Sequence, residues 1–342
     1  MATAQPHGAA ASRPLLEARG LTKRFVKSLD FAARLAQRLG ASVAEQTVYA
    51  VEAVDLTVAP GEVVGLVGES GCGKSTLGRL VAGILPPTAG HLIYRGCDVT
   101  ALQGAARRRA FLDVQMIFQD PFASLNPRLK VASIIGEAPR VHGIVTAREL
   151  GDYVDQLLVR VGLDPTLKHR YPHQFSGGQR SRIGIARALA VKPSFLVCDE
   201  AVAALDVSIQ AQILNLFAEL QRDLGLTYLF ISHDLAVVEH LADRVAIMYL
   251  GRIVEQAPAE ALFAAPNHPY TQALLAEVPR LDQRRRRFAT IRGEIPSPLA
   301  PPPGCAFHPR CPHATARCRR ERPARREIAP GHWSACHLND AG

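Results

Sequence analysis

Gly68-Glu69-Ser70-Gly71-Cys72-Gly73-Lys74-Ser75-Thr76 decides how this sequence is read. An apolar, β-branched run from Glu62 to Val67 leads into it, and helical spacing from Thr76 to Ala82 leads out. Strand, glycine-rich turn and helix in that order form the context in which G-x-x-x-x-G-K-[ST] cradles phosphate. Glycines let successive backbone N–H groups turn inward around anionic oxygens, and the helix N-terminus adds positive potential. Lys74 is then placed to reach β and γ phosphates and Ser75 to ligate Mg²⁺. The competing reading is a glycine-rich turn without a ligand, which the flanking strand and helix argue against.

Phe195 to Cys198 is another apolar strand, and it runs into Asp199 and Glu200. Carboxylates at the end of a buried strand need a reason to be there. Asp199 suits the Mg²⁺ position of a P-loop nucleotide hydrolase, and Glu200 suits the orienting or polarising of an attacking water. Asp113 to Phe118 and Thr227 to Ser232 read as further strands, because they are short, β-branched or aromatic, and bounded by polar residues. His233 follows the second of these and is either a γ-phosphate contact or a structural histidine. Val245 to Tyr249 and Arg252 to Glu255 straddle Gly251 like a hairpin.

Strands alternating with helical patterns predict an α/β core with a parallel sheet. From Lys130 to Tyr171 the strand-type runs stop, and Tyr153, Leu157, Leu158 and Val161 take up helical spacing. That stretch is expected to be a helical subdomain inserted at about 130–180. Phe31, Leu35 and Leu39 space as a short helix near the N-terminus.

The chain has 342 residues, 48% of them hydrophobic, with 40 Lys plus Arg against 31 Asp plus Glu. Disorder, a collagen-like repeat and a disulfide miniprotein are thereby excluded, and a sizeable core can be buried. No apolar run approaches the roughly 18 to 20 residues of a membrane-spanning helix. Met1 to Pro14 lacks a signal-peptide pattern, so the protein is expected to stay in the cytoplasm. The net charge of +9 fits nucleic acid, anionic lipid, a phosphorylated ligand, or simply an arginine-rich surface.

The motifs together resemble ATP-binding cassette (ABC) proteins. Phe175-Ser176-Gly177-Gly178-Gln179 is similar to the family's signature motif, Gln119 to its Q-loop, Ala203-Ala204-Leu205-Asp206 to its D-loop, and Ile231-Ser232-His233-Asp234 to its H-loop. The resemblance implies a P-loop NTPase fold of the ABC nucleotide-binding type, with an antiparallel β subdomain, a helical subdomain and ATP hydrolysis. It assigns Gly68, Ser70, Gly71, Cys72, Gly73, Lys74, Ser75 and Thr76 to the nucleotide phosphates. Ser75, Gln119 and Asp199 are assigned to Mg²⁺, and Glu200, His233 and Gln119 to catalysis. Ser176, Gly177, Gly178, Gln179 and Asp206 would serve ATP held by a second subunit. Phe25 sits where the family stacks an aromatic on adenine, with an ordinary core aromatic as the competing reading. Ala201 stands where the family usually has proline and Ala203 where it has serine, departures that imply slower or asymmetric hydrolysis.

His268-Pro269-Tyr270-Thr271-Gln272 and Gly304-Cys305-Ala306-Phe307-His308-Pro309-Arg310-Cys311-Pro312 resemble the C-terminal region of dipeptide and oligopeptide importer ATPases. The implied division is a flexible N-terminus over 1–14, an ABC ATPase domain over 15–282 and a C-terminal extension over 283–342. Arg284 to Arg287 is a basic run and Pro296 to Pro303 a proline-rich one. Cys305, Cys311, Cys318 and Cys336 crowd into this extension without the paired spacing of a zinc ribbon. A [4Fe–4S] cluster, which relatives with this tail are reported to hold, is the expectation; zinc, or four reduced thiols, are the alternatives. Implied partners are two multi-spanning permease subunits, a second ABC ATPase arranged head to tail and, indirectly, an extracytoplasmic solute-binding protein. The expected place is the cytoplasmic face of the cell membrane, and the solute is a dipeptide or oligopeptide, with nickel or glutathione as alternatives. A soluble ABC ATPase acting on ribosomes or nucleic acid is the rival class, weakened by a single cassette and by the lack of sustained heptads; no nucleic acid is expected.

Overall fold

The computed structural model describes residues 13–27, 46–120, 123–277 and 293–340. Its first part runs β1 (Leu16–Lys27), β2 (Gln46–Val58), β3 (Val63–Val67), α1 (Lys74–Val81), β4 (Ala89–Tyr94), β5 (Cys97–Asp98), α2 (Gly104–Leu112) and β6 (Val114–Ile117). Then come α3 (Val131–Val141), α4 (Leu150–Arg160), α5 (Gly177–Leu189), β7 (Phe195–Asp199), α6 (Val207–Leu224), β8 (Thr227–Ser232) and α7 (Leu235–Leu241). The last part is β9 (Arg244–Tyr249), β10 (Arg252–Pro258), α8 (Ala259–Ala264), α9 (Pro269–Glu277), α10 (Ala316–Arg320), β11 (Arg326–Ala329) and β12 (His332–Ser334).

β3, β7 and β8 are apolar on both faces, and every residue in them is buried. Such strands can only sit inside a parallel sheet covered by helices, and β9, β3, β8, β7 and β6 lie side by side in that order with parallel pairing. Each fully buried Leu, Ile or Phe side chain contributes about 1.5–3 kcal/mol of transfer energy. Helix α7 crosses β3 so closely that a Cβ on Gly65 would collide with Val238 Cγ1, which is why glycine interrupts the Val-Val-x-Leu-Val run. The parallel strands all point their carboxyl ends to one side, where Asp199, Ser232 and the turn after Val67 gather.

The other layers match the sequence reading. β2, β1, β4 and β5 make a separate antiparallel sheet, and β2 alternates buried Val54, Leu56 and Val58 with exposed neighbours. Helices α3, α4 and α5 form the inserted helical subdomain around Ile135, Val154, Leu158, Val161 and Ile183. The strand expected over Asp113 to Phe118 is shorter by one residue at each end, since Asp113 uses its carboxylate to bind Tyr94 and Ser194 and Phe118 is exposed. The β9–β10 hairpin turns through Gly251 as expected. The short helix over Phe31, Leu35 and Leu39, the run Arg284 to Arg287, most of the N-terminal 1–14 and the boundary near 282 lie outside the described residues.

The C-terminal extension does not stand apart from the core. β12 pairs with β10 through Glu255↔Ser334 and Gln256↔Trp333, and β11 pairs with β12, so the tail lengthens the central sheet to eight strands. Beneath it lies the buried carboxylate of Glu255. It accepts from the backbone N–H groups of Asn267 and His268 and lies 2.7 Å from His332 Nε2, so a charge that would be costly alone is satisfied. Burial pushes His268 down to about 4, so its neutral ring accepts the Tyr270 N–H through Nδ1. The proline-rich run is irregular, and the Pro298 carbonyl accepts the Tyr49 N–H at 3.3 Å.

Candidate active site

The phosphate loop follows β3 and opens α1. Gly73 caps that helix with φ 107°, a left-handed conformation, and a Cβ there would collide with the Ala50 carbonyl oxygen. Lys74 is 4% exposed, and its ammonium is held by the carbonyls of Gly68 at 2.7 Å and Glu69 at 3.0 Å. Both carbonyls belong to the loop itself, so the cation is already poised at the helix N-terminus. Cys72 is buried beneath the loop, and burial pushes its thiol up.

The two strand-end carboxylates have different partners. Ser75, in the first turn of α1, donates its hydroxyl to Asp199 Oδ1 at 2.8 Å. Burial raises the Asp199 carboxyl, opposed by that bond and by the Arg79 and Lys74 charges. Hydroxyl and carboxylate oxygens brought together in this way fit a hard cation that takes its remaining ligands from phosphate and water. Ser75 and Asp199 would be the residues that hold Mg²⁺ there, and the ion would supply neutralisation of the charge that develops on the phosphates.

Glu200 has φ 49°, in the left-handed region that a non-glycine residue enters only where surrounding contacts hold it. Its N–H donates to the Ile231 carbonyl at 3.0 Å, which ties β7 to the end of β8. The turn swings the carboxylate between Gln119 and His233. Gln119 Nε2 donates to Glu200 Oε2 at 2.7 Å, and His233 Nδ1 lies 3.4 Å from Glu200 Oε1. The resemblance assigns Gln119 to the metal as well; it is the amide nitrogen, not the oxygen, that Glu200 engages. Ala203 N–H closes a turn on the Glu200 carbonyl, so the substitution at the D-loop serine leaves that backbone turn in place.

Ser75, Asp199, Glu200, Gln119 and His233 are therefore linked, pair by pair, beside the loop that carries Lys74. The signature residues stand elsewhere. Ser176 is the N-cap of α5: its hydroxyl accepts the Gln179 N–H, and Gln179 Oε1 accepts the Ser176 N–H, a reciprocal capping box. Gly178 packs where a Cβ would press on Ile209 Cγ2 at 2.6 Å. Asp206 is exposed at the N-cap of α6. No hydrogen bond among the described residues joins Ser176, Gly177, Gly178 or Gln179 to the phosphate loop of the same chain. Phe25 is 41% exposed on β1, opposite Val48 of β2. It is not a core aromatic, and two residues further along β2 Ala50 lies against Gly73.

Sequence reasoning passed over Glu69, which lies inside the phosphate loop. Arg310 of the C-terminal extension grips its carboxylate with two bonds of 2.6 and 2.9 Å. Glu69 and Arg310 lie in separate motifs 241 residues apart, and nothing local marks them as partners.

The four tail cysteines line one cavity of about 120 Å³ together with His308, His313 and His337. Burial raises the thiols of Cys305, to about 11, and of Cys311 and Cys336, and neighbouring cysteines add to the rise in each. Among the described residues no group of three or more His, Cys, Asp or Glu side chains is arranged to hold a metal ion. The expectation of an iron–sulfur or zinc site thus gains no support from the arrangement of donors.

Comparison with known proteins agrees with this geometry. The ABC transporter family matches residues 51–203, and the family described as oligopeptide/dipeptide transporter, C-terminal region, matches residues 254–318. The chain is 51% identical over 295 residues to the oligopeptide transport ATP-binding protein AppF of Bacillus subtilis, covering 85% of this chain and 90% of that protein. It is 49% identical over 324 residues to a putative peptide import ATP-binding protein of Brucella ovis, covering 94% of this chain and 97% of the other. Among solved structures, cbiO1 of Clostridium perfringens, part of the ABC transporter complex cbiONQ, superposes with a TM-score of 0.60 at 26% identity, covering 74% of this chain and 91% of that one. The cassette MJ0796, solved as a dimer bound to ADP and Pi, shares the fold at 24% identity and a TM-score of 0.61, covering 71% of this chain and 98% of the other. This chain belongs to the ABC transporter family of ATPases, within the oligopeptide/dipeptide group of ATP-binding subunits.

Proposed function

We propose that this chain is one of two ATPase subunits that energise an importer of dipeptides or oligopeptides from the cytoplasmic face of the cell membrane. The observation that carries the reading is the presence, on one chain, of the linked set Ser75–Asp199 and Gln119–Glu200–His233 and of the oligopeptide/dipeptide C-terminal region. No helix among the described residues is long and apolar enough to cross a membrane, so the translocation path belongs to partner subunits. Two permease subunits and a second ATPase, a copy or a paralogue, are the partners that such a cassette implies, with a solute-binding protein acting through the permeases.

Each role follows from chemistry. Lys74 and the N–H groups of the loop hold the phosphates, Ser75 and Asp199 hold Mg²⁺, and Phe25 stacks on the base. Glu200 orients the attacking water, with Gln119 and His233 fixing its carboxylate. The N-terminus of α5, with Ser176, Gly177, Gly178 and Gln179, and the exposed Asp206 complete the phosphate site of the facing subunit. Closing two cassettes around two ATP molecules moves the permeases, and hydrolysis resets them. The cassette proper extends to about 282 and the extension follows it. Nickel and glutathione are the rival solutes. Uptake of labelled dipeptides, longer peptides, glutathione and nickel, compared between cells with the intact chain and cells with Lys74→Ala, tests the reading. Loss of peptide uptake alone is expected; loss of nickel or glutathione uptake alone reassigns the solute.

The finer reading of the tail is a structural [4Fe–4S] cluster on Cys305, Cys311, Cys318 and Cys336, which rests on the resemblance of the tail and not on the arrangement of its donors. The raised thiols of Cys305, Cys311 and Cys336 would make such binding proton-coupled, because a thiol ligand must lose its proton. Anaerobically purified protein is expected to carry about four iron and four sulfide per chain, and less in Cys311→Ser. A clean anaerobic sample without iron and sulfide overturns the cluster, and one with zinc instead selects zinc.

A further inference from the structure

Glu69, inside the phosphate loop, is tied at its side chain, its N–H and its carbonyl. Its carboxylate receives both prongs of Arg310, its backbone N–H donates to the Tyr270 hydroxyl at 2.9 Å, and its carbonyl accepts the Lys74 ammonium. Two of those ties come from the C-terminal part of the chain and the third from the lysine that faces the phosphates.

The delivering segment is wedged in place. Phe307 is 2% exposed and sits edge-on against Tyr249, with Tyr270 at 5.3 Å between ring centroids. Three residues on, the Arg310 side chain is 4% exposed, and its guanidinium lies 5.9 Å from the Tyr249 ring centre. A cation this far from water needs a charged partner, and here that partner is an anion inside a loop that must receive a polyanion. Left unpaired, Glu69 would repel the phosphates and would be free to swing the carbonyl on which Lys74 rests.

We propose that Arg310 is a positioning residue for nucleotide binding: it cancels the Glu69 charge and, with Tyr270, fixes the Glu69 peptide that holds Lys74 at the mouth of the phosphate loop. The C-terminal extension is by this contact part of the ATP site's support, and its docking sets the affinity for nucleotide.

The test is equilibrium binding of a fluorescent MgATP analogue to the full chain, with the thermal midpoint of the nucleotide-free protein and the KM and kcat for MgATP measured in parallel. Arg310→Gln is expected to weaken binding on the order of tenfold, raising KM and leaving kcat within about twofold. Adding Glu69→Gln to the same chain removes the stranded charge and is expected to return affinity to within about twofold of the starting protein. A purely structural role of Arg310 would not show this rescue. Binding by R310Q at the starting affinity overturns the proposal, and so does a double variant as weak as R310Q. Should R310Q fail to fold, Arg310→Lys carries the test. It keeps the charge but cannot span both carboxylate oxygens, and a smaller loss of about threefold is expected, with unchanged affinity counting against the proposal.

Discussion

Glu200→Gln is expected to lower steady-state ATP turnover by about 10²–10⁴-fold while MgATP still binds. The amide is nearly isosteric with the carboxylate. Its oxygen can keep the bond from Gln119 Nε2, and its nitrogen can face His233, so the left-handed backbone at this position and the tie to Ile231 stay satisfied. What disappears is the negative charge to which the proposed role assigns the orienting and polarising of water. Loss of kcat with unchanged affinity is the signature of an interaction made in the transition state. Single-turnover hydrolysis and nucleotide binding measured on the same preparation separate the two. A variant that bound MgATP but turned over within about tenfold of the parent would remove Glu200 from the role of catalytic carboxylate. With turnover blocked, ATP should also hold paired subunits closed, visible as an ATP-dependent shift to the dimer in sedimentation.

Lys74→Ala is expected to fail earlier, at binding. Hydrogen bonds to a charged group contribute about 1.5–3 kcal/mol each, so losing the ammonium should weaken MgATP binding about 10- to 100-fold. The residue is buried, and truncation also frees the carbonyls of Gly68 and Glu69 that its ammonium now holds. Lys74→Met separates these effects, because it keeps most of the aliphatic stem and removes only the charge. Equal weakening in both variants, with thermal midpoints near that of the parent in the absence of nucleotide, assigns the loss to phosphate binding. Unchanged affinity in Lys74→Met would contradict that assignment.

The residues that were easiest to read are those whose chemistry is spelled by neighbours in sequence. Gly73, Lys74 and Ser75 are adjacent, and the turn that presents them follows directly from a strand. Asp199 and Glu200 end a strand too apolar to tolerate them without purpose. Ser176 and Gln179 form a capping box within four residues, so the start of α5 was visible before the fold was known. The inserted helices were equally legible, since period and length are local properties. Less was visible where a residue's role depends on its backbone conformation. Nothing in the string Asp199-Glu200-Ala201 announces that Glu200 turns left-handed, yet that turn is what aims its carboxylate at Gln119 and His233.

The class of the core, several of its strands and the helices between them, the phosphate loop and the acidic pair were legible in the sequence, because each is marked by residues close together in the chain. Tertiary structure alone decided the place of the C-terminal extension. β12 joins β10 at the edge of the central sheet, His332 meets the buried Glu255, and Arg310 reaches Glu69 across 241 residues of chain. Such pairings leave no periodic trace. They are selected by which buried carboxylate lacks a donor and which sheet edge lacks a strand once the core has formed, and those vacancies exist only in three dimensions.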